Sequence, residues 1–582
     1  MRISVVIPTY WGRKKNDEWQ VGDAVYDHPT YLDGEDTLGR TLESMKLLNN
    51  KNFKLIIPIC PTTVEIEDEA EKIVRKIVED VGLNVETYLF TQKNVRDIKS
   101  FLEKKSVSEG SLNLLNLSGY SNVRNMCLYS SHILASDVTI LIDDDEVFEK
   151  PEFIDMAIEF MGKRMYGTNI YGVAGYYLNK KDEYYDDVSM QAWMTYWDRF
   201  GSKAKAFDKI ISCDPRIKQT PFAFGGLMVI HKNMYKVVPF DPNVKRGEDI
   251  DYLMNAKMFG YDFFLDNKLN IKHLPPPKNH PIWKRFREDI YRFLYQKSKI
   301  DKQYETGNMR KVTAQDFSPY PGDFLNEDLE DKIFKTNILL ALDYLATGDI
   351  EACKEAINNI YLSKYEAIPR TDTFTEYRRI QKKWEKLIDS TITYRNELRA
   401  IIEENNLTSD SKKMDPAHFV DLSIVEIKDI IKKMSEFKDF TDFEISELAQ
   451  ITAIKAYSKD EIIFKKGDKD SKLYIILRGC VRVIKRNDDG EEILLSKICT
   501  HGILGETAIV NEEHKVDAVA DEFAELLVID QKNIEKLIEK DPKVGNKILF
   551  MFLDKLFFKL SNTNELVRQF VMRDDDQGSK LI

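Results

Sequence analysis

Short apolar runs alternate with stretches of helical periodicity over the first 280 residues. The runs Ile3–Ile7, Lys54–Ile59, Val85–Tyr88 and Val138–Ile142 predict strands joined by crossover helices, the pattern of an α/β sheet. Between 281 and 404 the texture changes to long, charged helical segments, among them Trp283–Lys297, Asp331–Leu345 and Tyr377–Glu404. The Pro/Gly-rich stretch Ser318–Gly322 interrupts them and reads as a loop. Residues 405–420 open with the polar, aperiodic Asn405–Ala417 and read as a linker. Residues 421–570 form the last segment. From about 440 to 530 it carries short β-branched strands with turns at Lys466–Asp468 and Asp488–Gly490, which predicts a small antiparallel barrel with flanking helices. An apolar helix, Lys547–Leu560, follows it, and its stripe of Leu, Ile and Phe suits a core or a homodimer contact. The chain shows no internal repeats.

A length of 582 residues fits three or four folding units at roughly 150 residues each. With 31% charged residues and a net charge of −12, nothing in the overall field favours nucleic acid or an anionic membrane. The N-terminal apolar run stops at Pro8, too soon for a signal peptide, and no window of about eighteen apolar residues follows. The expectation is a cytoplasmic protein. The six cysteines form no CxxC pair, so reduced thiols are expected throughout, the 480/499 pair in the barrel included.

The chemistry concentrates at Asp143-Asp144-Asp145-Glu146, directly after the apolar run Val138–Ile142. Consecutive carboxylates at the end of a buried strand repel one another unless a cation neutralises them. A divalent metal held by one or two of them, with diphosphate oxygens completing its shell, would do so. A solvated acidic turn leading into the next helix explains the four residues equally well. Further pieces stand in order along the chain. Gly119–Asn125 opens a helix leading into this strand; Phe224-Gly225-Gly226 lies downstream; Gly247-Glu248-Asp249 follows, and then His273 before Pro275-Pro276-Pro277.

This ordered series, from Pro8-Thr9-Tyr10 to His273, resembles the GT-A glycosyltransferases, particularly family-two-like members, over residues 1–280. The resemblance implies a domain that moves a sugar from a nucleoside-diphosphate sugar, UDP- or GDP-linked, to a hydroxyl acceptor with Mn2+ or Mg2+ as cofactor. It puts Pro8, Thr9 and Tyr10 at the nucleotide, Arg124 on the nucleotide or its phosphates, and Asp143 and Asp145 in the Asp-x-Asp motif, Asp145 the direct ligand. Asp144 then shapes the turn or meets ribose, and His273 is a further metal ligand or a capping histidine. Gly225 and Gly226 would let the backbone approach the donor sugar. Asp249 resembles the base of inverting members, which deprotonates the attacking hydroxyl; retaining members show a similar sequence. Two departures stand out. Pro58–Thr63 lacks the acidic base-recognition loop of the family, and Lys14–Glu35 is an unusual insertion. A sugar nucleotidyltransferase is a rival reading, for which Gly12-Arg13-Lys14-Lys15 is a faint echo of a phosphate loop.

The C-terminal segment resembles a cyclic-nucleotide-binding domain through Tyr457–Phe464, Gly467-Asp468, Leu473–Gly479, Gly505-Glu506 and Ala524–Ile529. The resemblance places Glu506 at a ribose hydroxyl and expects an arginine on the cyclic phosphate. Here Asn511–Asp517 contains none; His514 stands in its place with Lys515 beside it, and acidic Glu512 and Glu513 adjoin them. The expected pocket is thus Gly505, Glu506, His514 and Lys515, and a barrel used for docking or oligomerisation is preferred over tight cyclic-nucleotide binding. A second rival follows for the whole chain, a cyclic-nucleotide-responsive regulator whose front half has lost catalysis.

Overall fold

Every residue of Ile3–Val6 and Val138–Leu141 is buried, and in the computed structural model the two strands run parallel near the middle of an 11-stranded sheet. Lys54–Pro61 adds a third parallel strand on the other side of Ile3–Val6 and carries Glu86–Phe90. Such runs are apolar along their whole length because helices cover both faces of the sheet. Beyond Val138–Leu141 the order continues through Met228–His231, which is antiparallel to it, then Gly172–Leu178, Phe263–His273 and Ile217–Gln219. The predicted strands therefore stand where the periodicity put them. The structure describes residues 1–15, 17, 26, 29–184, 190–276, 281–304, 306, 309–404, 418–420, 424–434, 437–457, 459–469, 471–486, 492–505, 513–551 and 553. Most of the Lys14–Glu35 insertion's centre falls outside them.

The chain divides into two units, Met1–Lys412 and Lys413–Ile582. The helices of 281–404, read from the sequence as a domain of their own, belong to the first. Thr373–Thr393 lies against the sheet's helical layer: the Trp384 indole donates to Tyr235 O at 2.7 Å, Tyr377 Oη to Pro239 O at 2.8 Å, and Thr391 meets Tyr129. Trp384, Leu387 and Leu398 share one hydrophobic core with Val123, Met126 and Tyr252, whereas Phe286, Ile290 and Phe293 share another with Phe222 and Ile250. The helix Tyr120–Ile133 is consequently buried almost all round. The segment Tyr377–Glu404, expected as one helix, breaks at Tyr394 into Thr373–Thr393 and Arg395–Glu403. The loop Ser318–Gly322 is present but not superficial, since Tyr320 is fully buried among Phe293 and Phe324.

The second unit is a barrel of two antiparallel sheets. One pairs His418–Val420, Thr452–Tyr457, Ala524–Asp530, Lys472–Arg478 and Ile503–Leu504; the other pairs Ile462–Phe464, Asp517–Ala520, Cys480–Arg486 and Glu492–Cys499. His418–Val420, placed in the linker by sequence, is thus a strand, while 405–417 lies outside the described residues, as does the expected Asp488–Gly490 turn. The expectation of reduced thiols fails at one pair: Cys480 and Cys499 are disulfide-bonded. Antiparallel register sets them directly opposite each other, which spacing alone does not reveal. Cys60, Cys127, Cys213 and Cys353 are free. Positions 542–551 and 553 are helical, with Ile548 buried and Phe550 exposed; the rest of the expected Lys547–Leu560 helix lies outside the described residues. Among the described residues no helix is long and apolar enough to cross a membrane.

Candidate functional site

Val138–Leu141 delivers Asp143–Glu146 to the carboxyl edge of the parallel strands, where open α/β sheets bind their ligands. Each acid has a distinct neighbour. Asp143 accepts from Arg124 Nη2 at 2.7 Å, and Arg124, on the first turns of Tyr120–Ile133, also lies 3.7 Å from Glu248 Oε1 through Nε. Asp144 is buried and accepts from Thr9 Oγ1 at 2.7 Å. Burial, then the charge of Asp145, pushes the Asp144 pKa up to about 8. Glu146 is fully buried, caps the Asp143 amide at 3.1 Å, and is raised well above the carboxylate range by burial and then by Asp143 and Asp145. Asp145 Oδ2 lies 3.4 Å from His273 Nε2. That approach follows from topology: Phe263–His273 pairs with Glu146–Val147 so that His273 faces Glu146, and Leu274 N donates to Asp145 O. The His273 ring stacks on Tyr177 at 4.6 Å.

Gly225 and Gly226 press on this acidic group from the side. A Cβ at Gly226 would sit 2.2 Å from Glu146 Oε1 and 2.6 Å from Asp143 Oδ2; one at Gly225 would sit 3.0 Å from Arg124 Nη2. Gly226 N donates to Tyr177 Oη at 2.6 Å. The glycines therefore allow the backbone to close on the carboxylates. Asp249 sits in the first turn of Glu248–Met258, after Gly247 at φ 70°, and accepts from Ile250 N at 2.8 Å. Its neighbour Glu248 is buried, and burial, then the Asp249 charge, brings its pKa up to about 7.

Tyr10, Arg124, Asp143, Asp144, Asp145, Gly225, Asp249 and His273 all line a single cavity of about 710 Å³. Pro8, Thr9 and Gly226 do not line it; Thr9 acts from behind through Asp144, and Gly226 through Tyr177. Several residues that sequence reasoning missed complete the walls. Tyr26 and Tyr120 close an aromatic triad with Tyr10, with centroids 4.5 to 5.4 Å apart. Tyr26 comes from the unusual insertion Lys14–Glu35. Lys203, Arg246 and Arg285 supply a cationic side, with Arg246 paired to Glu288 on Ile282–Asp301.

Among the described residues no three His, Cys, Asp or Glu side chains converge as a metal cage. The expected set Asp143, Asp145 and His273 does not form one, because Asp143 is drawn to Arg124. What the chain offers a divalent cation is the Asp145–His273 pair beside carboxylates whose mutual repulsion a cation would relieve. A cation there would take few protein ligands and draw the rest from substrate oxygens and water.

In the barrel, Gly505 takes φ 85°, where a Cβ would meet Lys472 O at 2.2 Å. Glu506 and Glu512 lie outside the described residues. His514 is buried and stacks flat on Phe464 at 3.7 Å, while its backbone pairs with Gly467 and Asp468. Lys515 is bound to Glu513 at 2.5 Å. Of the expected pocket residues that are described, His514 thus packs on a ring and Lys515 is ion-paired with its neighbour.

Comparison with known proteins identifies the second unit. Residues 454–541 match the cyclic nucleotide-binding domain family. The curated relatives include the cyclic AMP receptor protein of Thermus thermophilus, 28% identical over 103 residues (18% of this chain, 48% of that protein). The potassium channel KOR2 of Oryza sativa is 27% identical over 90 residues, which are 15% of this chain and 12% of the channel. The global nitrogen regulator of Synechocystis is 23% identical over 132 residues, 22% of this chain and 56% of the regulator. The chain thus spans about half the length, or less, of the first two. Among solved structures, a cyclic nucleotide-binding domain from Methylobacillus flagellatus is 25% identical over 25% of this chain and 83% of that one, with a TM-score of 0.23. A C-terminal cyclic nucleotide-binding domain is therefore part of this protein.

Proposed function

We propose that Met1–Lys412 is a GT-A-type glycosyltransferase, acting in the cytoplasm on a UDP- or GDP-sugar and a hydroxyl acceptor, with the cyclic nucleotide-binding domain as its regulatory input. The observation that carries the reading is the convergence of Tyr10, Arg124, Asp143, Asp145, Asp249 and His273, scattered over more than 260 positions, on one cavity at the carboxyl edge of the parallel strands.

In this reading the Tyr10–Tyr26–Tyr120 triad receives the base, and Arg124, a buried guanidinium, supports the diphosphate. Asp145 and His273 would hold the divalent cation, which supplies charge stabilisation to the departing diphosphate when bound. Asp249 takes the proton of the acceptor hydroxyl as that oxygen attacks the anomeric carbon, the inverting course. Glu248 lies beside it; burial, then the Asp249 charge, raises its pKa to about 7, so well below that pH it holds a proton and adds no second charge next to the base.

Thermal shift of the full chain with UDP, GDP and ADP, each with Mn2+ and with chelator, tests this. One diphosphate should raise the melting temperature only in the presence of metal, and Asp145→Asn should abolish that shift; a ligand at a hundred times its Kd adds ~2.7 kcal/mol. No response to any diphosphate, or an undiminished one in Asp145→Asn, sinks the assignment. Pyrophosphate release in place of sugar transfer would assign the site to a nucleotidyltransferase. The reading of a regulator with an inactive front half has the family match at 454–541 in its favour; it requires a cyclic-nucleotide response with no diphosphate response at all.

A further inference from the structure

The helical hairpin Leu329–Thr347 and Ile350–Tyr365 is amphipathic on two opposite sides. Its inner side is anchored: Leu340, Ala341 and Ala356 pack with Trp193 and Met194, and Asn359 donates to Trp283 O at 3.0 Å and to Asn337 Oδ1 at 3.2 Å. Its outer side is also apolar. Phe334, Ile338, Leu342 and Leu345 follow one another at spacings of four, four and three on the first helix. Ile350, Ile357, Tyr361 and Tyr365 do so at seven, four and four on the second. All eight are between 37% and 64% exposed. The two rows adjoin where Lys364 on the second helix reaches over the Phe334 ring of the first, and within the second row the Tyr361 and Tyr365 rings meet at a tilt, 4.9 Å between centroids. Spacings of three and four trace the seam by which a helix meets a partner helix.

We propose that this face is where two copies of the chain pair, hairpin on hairpin, as a four-helix bundle. At about half exposure each, eight large side chains present roughly 800 Å² per copy, one partner's share of a standard stable interface. Isolated apolar patches on monomers rarely reach that size. The rim carries charges of both signs, two of them paired along each helix: Lys335 with Asp331 and Lys354 with Glu351, each at 2.6 Å. The same balance argues against an anionic lipid surface, which selects amphipathic helices with surplus Lys and Arg. An isologous contact fits a patch that is apolar throughout and so complementary to itself. The proposal places the dimer contact away from the C-terminal helix that sequence alone suggested, and it does not rest on the transferase reading.

Multi-angle light scattering and sedimentation of the full chain at micromolar concentration test it. The expected mass is twice 67.8 kDa. The double variant Leu342→Glu/Tyr361→Glu should halve it while the far-ultraviolet circular dichroism spectrum stays that of the parent. The conservative pair Leu342→Met/Tyr361→Phe should keep the dimer, and Phe550→Glu on the C-terminal helix should leave it intact. A monomeric parent overturns the proposal, as does a dimer that survives the charged pair or one lost in Phe550→Glu. Sedimentation of a monomeric parent with phosphatidylserine-containing vesicles would assign the face to lipid instead. If the charged pair unfolds the chain, loss of dimer in Leu342→Ser/Tyr361→Ser with a retained fold supports the proposal, and its persistence refutes it.

Discussion

Asp144 shows how a single carboxylate ties the site to pH. Its pKa rises to about 8 because the group is buried and faces Asp145 and Asp143. The folded chain therefore holds a proton that the unfolded chain releases near pH 4. Stability contributed by the neutral form is present at low pH and declines as pH climbs from about 4 to about 8; Glu146, raised for the same reasons, acts in the same direction. Replacing Asp144 with Asn removes the buried charge while Thr9 can still donate to the amide oxygen. Metal-free Asp144→Asn is expected to be more stable than the parent at pH 8 by about 1–3 kcal/mol and close to it at pH 4. Thermal melts of both proteins at the two pH values in chelator decide it; an equal difference at both means Asp144 is not titrating as described. Residue chemistry was the part of the site most legible in the sequence, because a run of four acids after an apolar strand has few stable explanations. Tyr177 and Glu146 were less legible, since their roles depend on which backbone amide they meet.

At the scale of elements, strands were readable and their partners were not. Apolar runs at 3, 54, 85 and 138 announced a sheet, but nothing in spacing reveals that Cys480 will face Cys499, or that His418–Val420 will extend the barrel. The helices after 281 looked self-sufficient because their charged faces dominate the pattern, whereas their buried faces carry few but large residues. Trp384 is the clearest case, fully buried between the helix Thr373–Thr393 and the sheet's helical layer, with its indole N–H bonded to Tyr235 O. Trp384→Ala leaves both a cavity and an unmet carbonyl. It is expected to cost about 3–5 kcal/mol in denaturant unfolding of the first unit and to lower, in the same transition, the stability of the sheet that holds Asp143–Glu146. If the sheet's own transition stays put while only helical signal is lost, the helices are an independent domain after all and the shared core is misread.

At the scale of the molecule, a transferase reading for one unit and a nucleotide-binding family match for the other raise the question of coupling, which thermodynamics makes measurable without knowing how the units meet. A ligand of the second unit can alter the first only if it binds two states of the chain unequally, and the effect must then be mutual. In the second unit Lys515 is neutralised by Glu513, His514 is stacked on Phe464, and the Asn511–Asp517 stretch holds no arginine for a bidentate grip on phosphate. Cyclic AMP is therefore expected to bind weakly, with no heat of binding in titrations at low micromolar protein, and to leave unchanged the diphosphate affinity proposed for the first unit. Calorimetry of the full chain with Mn2+ and the responding diphosphate, with and without cyclic AMP, reads both quantities together. A Kd in the micromolar range or below, accompanied by a change in diphosphate affinity and the same factor in reverse, would make the barrel a true cyclic-nucleotide input. Tight binding without that reciprocity would leave two independent proteins in one chain. Silence in both removes cyclic AMP as an input to the first unit.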